Sequence, residues 1–509
     1  MAAKVKFSEN DQPLPLGDGL WNTVTGPGSY KLYVADPTRG QAGFLGTLRE
    51  NGNPIAFSLR LKVEDRRISE IETTVVREPG GPANGDLSVA ARLEQIGTPD
   101  AMFVEAVPPG RRQSRDALLA GANAYLDGIE HQQERTVYPR RFTVIDEERQ
   151  LVFGSFMHQE AGDTERGTVP SFADVTQVLR VTNGRVARGQ QLTVSLPYGT
   201  PSPFFDGDWR KGNRTPITLP SDGAPVPVVS TGPCDRACLE GHVDRYLAAM
   251  VAHDPRRLPA GASVKFSEND VPLRLGDALW RTATGVGAYK LYFADLQTGQ
   301  VGFFGTIREN GKPAALVLRL EVDRGLIIEA ETLVIRSEGT ANNLEKAGAP
   351  DPILLEPVPV GDRVPRTALI ATTNTYFEAI EQGNGAVAPF DAECNRLENG
   401  IRTSGAQGCS AQLDTHIFDY IQKIYPRRFK VVDEERQTVF GFFMFNHPGD
   451  ILWVNVPGQG RREMPASAKR PFAVDVAELF KIKDRKIRKV EALMVSLPYG
   501  AKSPFVPQQ

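Results

Sequence analysis

VKFSEND, at residues 264–270, also stands at residues 5–11, and from it the whole run 5–76 reads again without a gap as 264–335. Well over half of the paired positions are identical: LGDGLW returns as LGDALW, YKLYVAD as YKLYFAD, and GTLRENG as GTIRENG. Self-similarity of this degree is duplication, which makes the repeat the unit of fold and the place to look for a mechanism. The match resumes after a break. YPRRFTVIDEERQLVFGSFM, from Tyr138, pairs with YPRRFKVVDEERQTVFGFFM, from Tyr425, and VSLPYG closes the copies at Gly199 and Gly500. The offset lengthens along the chain, so insertions fell in the connections, which tolerate changes of length better than strands do.

Each copy contains an older repeat. In the second copy a helical pattern, DRYLAAMVAHD, leads to VKFSEND, a short LGDALW segment and two hairpins ending in ALVLRLEVDRGLIIEAETLVI. The order recurs as TYFEAIEQGNG, CNRLENG, HIFDYIQKI, RRFKVVDEERQTVFGFFMF and AELFKIKDRKIRKVEALMV. Alternating apolar residues on both sides of a tight polar turn describe antiparallel strands. Four half-modules follow: 1–90, lacking an opening helix; 114–205, shortened; 234–340; and 368–506. Residues 77–113 and 336–367 are rich in Pro, Gly and Asn and read as connecting loops, and 206–233 reads as the linker between copies. The helical pattern before the second copy carries Leu239, Val243, Leu247 and Met250 on one stripe, whereas the first copy begins directly at its first strand.

The order of helix, strand with an acidic turn, short helix and antiparallel sheet resembles the nuclear transport factor 2-like superfamily, which includes ketosteroid isomerase, scytalone dehydratase and SnoaL-like proteins. CDRACLEGHVDRYLAAMVAHD, FSEND, LGDALW, CNRLENG and ELFKIKDRKIRKVEA are similar to an uncharacterised bacterial and fungal family of tandem modules within it. The resemblance implies an α+β fold of tandem cone-shaped modules, each a curved antiparallel sheet wrapped around helices. It also implies cofactor-independent proton transfer, dehydration, isomerisation or lyase chemistry in an apolar pocket.

Composition sets limits on function. The 509 residues are 40% hydrophobic and carry a net charge of −3, with both signs interspersed, so nothing in the charge balance draws nucleic acid or an anionic membrane. No apolar run approaches a membrane span, and no export signal stands in the chain as given. Basic clusters such as Arg461-Arg462 read as solvated faces. Four cysteines and six histidines form no paired CxxC set, so no metal is expected. Cys394 and Cys409 bracket a polar loop and read either as a disulfide, which leaves an oxidising compartment open, or as buried thiols. There is no GxSxG elbow, Walker loop or HExxH.

The strongest chemical candidates are acid-amide pairs on the first strand of a half-module: Glu9-Asn10, Glu268-Asn269 and Glu398-Asn399. A carboxylate at the rim of an apolar pocket has its charged form disfavoured, which suits a general acid or base, while the amide holds a substrate oxygen. The competing reading is an ordinary turn. Asp277 and Trp280 offer a second carboxylate beside an aromatic wall, against a reading as N-cap and core. Tyr289 and Tyr292, matched by Tyr30 and Tyr33, are placed on one side of a strand, where a hydroxyl donates to an oxyanion, against a reading as amphipathic packing. His447, in FFMFNHPGD, places at the end of a strand a residue type that ordinarily titrates near neutrality, against a reading as a turn residue before Pro-Gly. Asp433-Glu434-Glu435-Arg436 reads as a solvated hairpin turn. The expectation is an enzyme acting on a small, largely apolar substrate. Glu268, Glu398 and His447 are its catalytic groups, and Asn269, Asn399, Asp277, Trp280, Tyr289, Glu9, Asn10 and Tyr30 bind substrate. The chain would pair its own half-modules as internal pseudo-dimers or form a homodimer. The alternative is a non-catalytic binding or assembly protein.

Overall fold

The computed structural model describes residues 5–77, 88–133, 135–209, 234–421, 423–456 and 458–506; most of the expected linker, 210–233, lies outside them. The first half-module comprises β1 (Lys6–Glu9), β2 (Gln12–Pro13), the short helix α1 (Leu20–Thr23), β3 (Val24–Asp36), β4 (Gln41–Glu50), β5 (Asn53–Glu64) and β6 (Arg67–Val76). Helices α2 (Val89–Ile96), α3 (Ala101–Val104) and α4 (Arg115–Gln133) lead to β7 (Thr136–Asp146), β8 (Leu151–Glu160), β9 (Ser171–Thr182) and β10 (Arg185–Leu196) of the second. The third opens with α5 (Arg236–Val251) and continues through β11 (Ala260–Glu268), β12 (Val271–Leu273), β13 (Ala283–Asp295), β14 (Gln300–Glu309), β15 (Lys312–Asp323) and β16 (Leu326–Ile335). Helices α6 (Glu338–Ala347), α7 (Pro352–Leu355) and α8 (Arg366–Gln382) precede the fourth. It holds β17 (Phe390–Glu398), β18 (Ile401–Arg402), α9 (Gly408–Leu413), β19 (Lys423–Asp433), β20 (Thr438–His447), β21 (Trp453–Val456), β22 (Gly460–Glu463), β23 (Phe472–Lys483) and β24 (Lys486–Leu497).

Three half-modules build a six-stranded sheet of one order, β2-β1-β6-β5-β4-β3 in the first, antiparallel except where β1 lies parallel to β6. The second is a four-stranded sheet, β10-β9-β8-β7, because its sequence lacks the CNRLENG strand. Helices α2, α3, α6 and α7 occupy stretches that read as loop; Ser88 and Asp100 cap the first two through their side chains.

The expected α+β cones are corrected by this architecture. Strands take 47% of the chain and helices 24%, in several mostly antiparallel sheets, so the sheets do not wrap helices. The physical reason lies in runs such as Leu316-Val317-Leu318, buried on both faces. One face of the third sheet packs against the fourth sheet through Phe293, Phe304, Val317, Phe440 and Phe442, and its other face takes α5. Each helix therefore lies on a sheet rather than inside one.

The two copies interlock reciprocally. Asn51, in the β4–β5 turn, donates from Nδ2 to the carbonyls of Gly449 (3.0 Å) and Lys469 (2.7 Å) of the fourth half-module, while its counterpart Asn310 donates to Thr168 of the second (2.7 Å). Phe172, Tyr198 and Trp209 of the first copy enter the core of the third half-module beside Leu273. Both cysteine pairs are disulfides: Cys234–Cys238 at the start of α5, and Cys394–Cys409, which ties β17 to α9.

Candidate functional site

The carboxylates of the first and third half-modules are locked into matching clamps. Glu268 Oε2 accepts from the Leu279 backbone N–H (3.0 Å) and Oε1 from Arg336 (2.8 Å), which also holds Glu309 (2.8 Å). Glu9 does the same with Leu20 (2.7 Å) and Arg77, which also holds Glu50. Burial raises the Glu268 carboxyl, and the Arg336 guanidinium opposes that rise. The neighbouring amides serve the turn. Asn10, Asn269 and Asn399 have φ of 49°, 49° and 48°, and their Oδ1 atoms accept from Val75, Val334 and Met494. Asp277 is the N-cap residue of a 3-10 turn, and Trp280 is buried, donating from Nε1 to Tyr246 (2.8 Å).

Tyr289 and Tyr292 lie on opposite faces of β13, because a spacing of three residues on a strand reverses direction. Tyr289 meets Glu491 across the sheet–sheet interface, as Tyr30 meets Gln190, whereas Tyr292 reaches Asp244 of α5 (2.8 Å). Asp433, read as part of a solvated turn, is 1% exposed and held by Arg236 (2.7 and 2.8 Å). The structure thus disperses the expected residues among three half-modules.

In the fourth half-module charged groups converge under α8, on the helix-facing side of its sheet. Glu478 in mid β23 is fully buried, surrounded by Val476, Phe480 and Phe443 of the core under α8. Its Oε1 receives Arg396 Nη2 from β17 (3.3 Å) and the Tyr376 hydroxyl from α8 (3.4 Å). Burial pushes the Glu478 carboxyl above the ordinary carboxylate range despite Arg396, and raises the Tyr376 phenol. The Arg396 guanidinium lies between the rings of Tyr376 (6.0 Å) and Phe418 (5.7 Å), and also pairs with Glu398 at the rim. His447 sits further along the same face, stacked on Phe472 (4.1 Å) beside Tyr420 (5.1 Å), and burial alone lowers its imidazole to about 4. Buried polar atoms here without a hydrogen-bond partner include Glu478 Oε2, Arg396 Nε and His447 Nδ1. Buried polar atoms without a partner favour an added hydrogen-bond partner, and others of the kind occur at Asp11, Asp174, Asp270 and Asp475.

The equivalent positions of the second half-module carry other groups. Gln177 replaces Glu478 in the second half-module and donates to Gln191 (2.8 Å), and Glu160 replaces His447. Sequence reasoning found His447 and Glu398 but missed Tyr376, Arg396 and Glu478. The available signal was the difference between copies: a carboxylate in AELF where the first copy has TQVL. No metal set was expected, and Cys234, Cys238 and His242, which lie close together, have their thiols tied in a disulfide.

Residues 362–494 match a family described as Domain of unknown function (DUF8021), a span that holds Tyr376, Arg396, Glu398, His447 and Glu478. No curated protein matches the chain. Among solved structures, the crystal structure of a de novo designed protein with curved beta-sheet matches at 6% identity, covering 26% of this chain and 88% of that one, with a TM-score of 0.17, too low to carry an argument.

Proposed function

We propose that the fourth half-module takes a small, largely apolar organic molecule and acts on it by cofactor-independent general acid–base chemistry of the lyase, dehydratase or isomerase class. The observation that carries this reading is the buried Glu478–Arg396–Tyr376 cluster, with its unsatisfied atoms, inside an aromatic surround. Glu478 is the proton-transfer group, since a carboxyl raised by desolvation exchanges a proton with carbon or hydroxyl far more readily than a solvated one. Arg396 faces the charge that develops on a substrate oxygen, and Tyr376 supplies a neutral donor to the same region. Phe418 and Tyr420 form the apolar wall. They follow α9, which the Cys394–Cys409 disulfide ties to β17.

The test is Glu478→Gln on a panel of cyclic ketones and β-hydroxy carbonyl compounds. Thermal shift by ligand should survive the substitution while turnover falls by about a hundredfold or more; unchanged turnover refutes the role. A second reading, a binding or assembly protein, is favoured by one observation. Side chains fill the third half-module, where Tyr246 and Trp280 close on each other (ring centroids 4.9 Å), and the copies interlock through Asn51 and Asn310. Absence of turnover with wild-type protein across the panel, with ligand binding retained, selects it.

A further inference from the structure

The turn after β11 and the middle of β23 bring two carboxyl groups together between the third and fourth sheets. Asp270 follows Asn269 in that turn (φ 60°), and Asp475 stands on the interface side of β23, in line with Ala477 and Leu479. Glu478, three residues on, points to the opposite face. Asp270 is 7% exposed and Asp475 1%, and the two carboxyl groups lie within hydrogen-bond reach of each other. Among the described residues, both oxygens of Asp270 and Oδ2 of Asp475 are buried without a hydrogen-bond donor.

The charges around this pair do not balance two ionised aspartates. Arg428 of β19 faces both, but its Nη2 is committed to Glu331 of β16 (2.7 Å). Arg319 of β15 also binds Glu331 (2.9 Å) and is shared with Glu329 (2.7 Å), while Lys430 lies on the side of Glu331 and Glu329. The Ser503 hydroxyl, beside Asp270, is directed to Glu331 (3.5 Å). Two touching carboxylates cannot both ionise in a dry interior, whereas one proton between them satisfies the orphaned oxygens and removes the excess charge. Burial, and then the neighbouring Asp270, push the Asp475 carboxyl well above the ordinary carboxylate range. The first copy repeats the arrangement, with Asp11 in its turn, Asp174 on β9, Arg141 bound to Glu72, and Ser202 beside Asp11. Burial there raises Asp11 to about 6. We propose that Asp270 and Asp475 share a single proton and form a pH-sensitive latch between the third and fourth half-modules, closed while the proton is held and released when it leaves. The latch lies on the face of β23 opposite Glu478 and stands independently of the chemistry proposed there.

Hydrogen exchange of the β16 amides in the full chain, corrected for the intrinsic pH dependence of exchange, reads the latch. The closed pair holds one proton more than two solvated aspartates, so its stabilisation is present in acid and lost as pH rises. The opening equilibrium should grow about tenfold per pH unit from the ordinary 3.8 up through the folded value. Asp270→Asn keeps a residue that accepts the positive φ and gives Asp475 a fixed N–H donor, and it should flatten this slope, as should Asp475→Asn. Glu478→Gln, on the other face, should leave the slope in place. Infrared difference spectra of wild type against Asp270→Asn, at about pH 5, where a solvated aspartate is ionised, should show the C=O stretch of one protonated carboxyl. A slope unchanged in both asparagine variants, a slope lost in Glu478→Gln, or the absence of that carboxyl band overturns the proposal.

Discussion

Replacing Phe442 by serine tests whether the two sheet–sheet interfaces are alternative solutions of one fold. In the second copy, Val317, Leu333, Phe442 and Ala477 meet at the centre of the interface, all at most 1% exposed. The matching residues of the first copy are Ser58, Thr74, Ser155 and Thr176, with the same strand pairing, and they line a cleft of about 10 Å³, room for about one water molecule. There Thr74 donates to Asp174 (3.1 Å) and shares a hydrogen bond with Thr176 (3.0 Å). Phe442→Ser removes a ring packed on Phe440 (5.1 Å) and under Arg428 (4.8 Å). Deleting a buried Phe ring and leaving a void costs about 3–5 kcal/mol, and a hydroxyl among Val317, Leu333 and Ala477 adds about 1 kcal/mol or more for lack of a partner. The single variant should therefore lose about 4–6 kcal/mol, read from guanidinium unfolding followed by circular dichroism. The quadruple variant Val317→Ser, Leu333→Thr, Phe442→Ser, Ala477→Thr recreates the polar cleft beside Asp475, and should lose about 3 kcal/mol less than the four singles added together. A loss under about 2 kcal/mol for the single, or additivity in the quadruple, refutes the reasoning.

Other perturbations read out named groups. His447 is buried and its imidazole lowered to about 4, so protonation favours the unfolded chain. Its contribution is complete above the ordinary 6.5 and lost as pH falls through 4, by about 3 kcal/mol. His447→Phe should flatten that acid limb in thermal melts at stepped pH. Glu478 is shifted the other way: its folded carboxyl is raised, so its stabilising protonated form is present at low pH and lost as pH rises through the folded value. Glu478→Gln should accordingly raise the melting temperature more at pH 8 than at pH 4, and an equal change at both sinks the assignment. Arg336→Met strips the shared cation from Glu268 and Glu309 and should destabilise by about 3–5 kcal/mol in chemical unfolding. Cys409→Ser opens the bond that bridges a sequence separation of 15 and should lose about 3 kcal/mol. If it also lowers turnover at the Glu478 site without changing pH dependence, the disulfide positions Arg396, two residues from Cys394, rather than tuning the acid.

The duplication and its hairpins were plain in the sequence because both rest on local patterns. LRLEVDRGLIIEAET alternates around a turn at Arg324 (φ 48°), and it folds as β15 and β16. What escaped was whatever depended on the second sheet. Tyr289 gave no sign that its hydroxyl would meet Glu491, 202 residues away in sequence, and Asp433 looked solvated because its partner, Arg236, comes from another half-module. Glu478 was hidden by the same blindness. A single carboxylate in a strand reads as the polar face, and its burial comes from pairing with Gly441 and Ala492 on either side and from Tyr376 of α8 above it. Helices α2 and α6 escaped for a different reason: short helices among Gly, Pro and Asn are fixed by packing onto β3, β5 and β15, and their sequence alone is indistinguishable from loop.

The reciprocal contacts explain why two diverging copies stay together. Since Asn51 of the first copy supports the loop at Gly449, and Asn310 of the second supports the loop at Thr168, neither copy completes its own surface. The Gly449 loop follows directly from His447 and Phe472 flanks its far side, so the first copy braces the end of the strand pair that carries the candidate site. Divergence is then free to proceed where this bracing is indifferent. The first copy has a polar cleft where the second has an apolar interface, and Gln177 where the second has Glu478, while both keep the turn at Asn51 and Asn310. The proposed chemistry therefore depends on the docking residues of one copy and on the Glu478 cluster of the other. Asn51→Ala should accordingly slow turnover at the Glu478 site, while Asn310→Ala, which braces a half-module without that cluster, should leave turnover intact; equal effects from the two would show that bracing and chemistry are uncoupled.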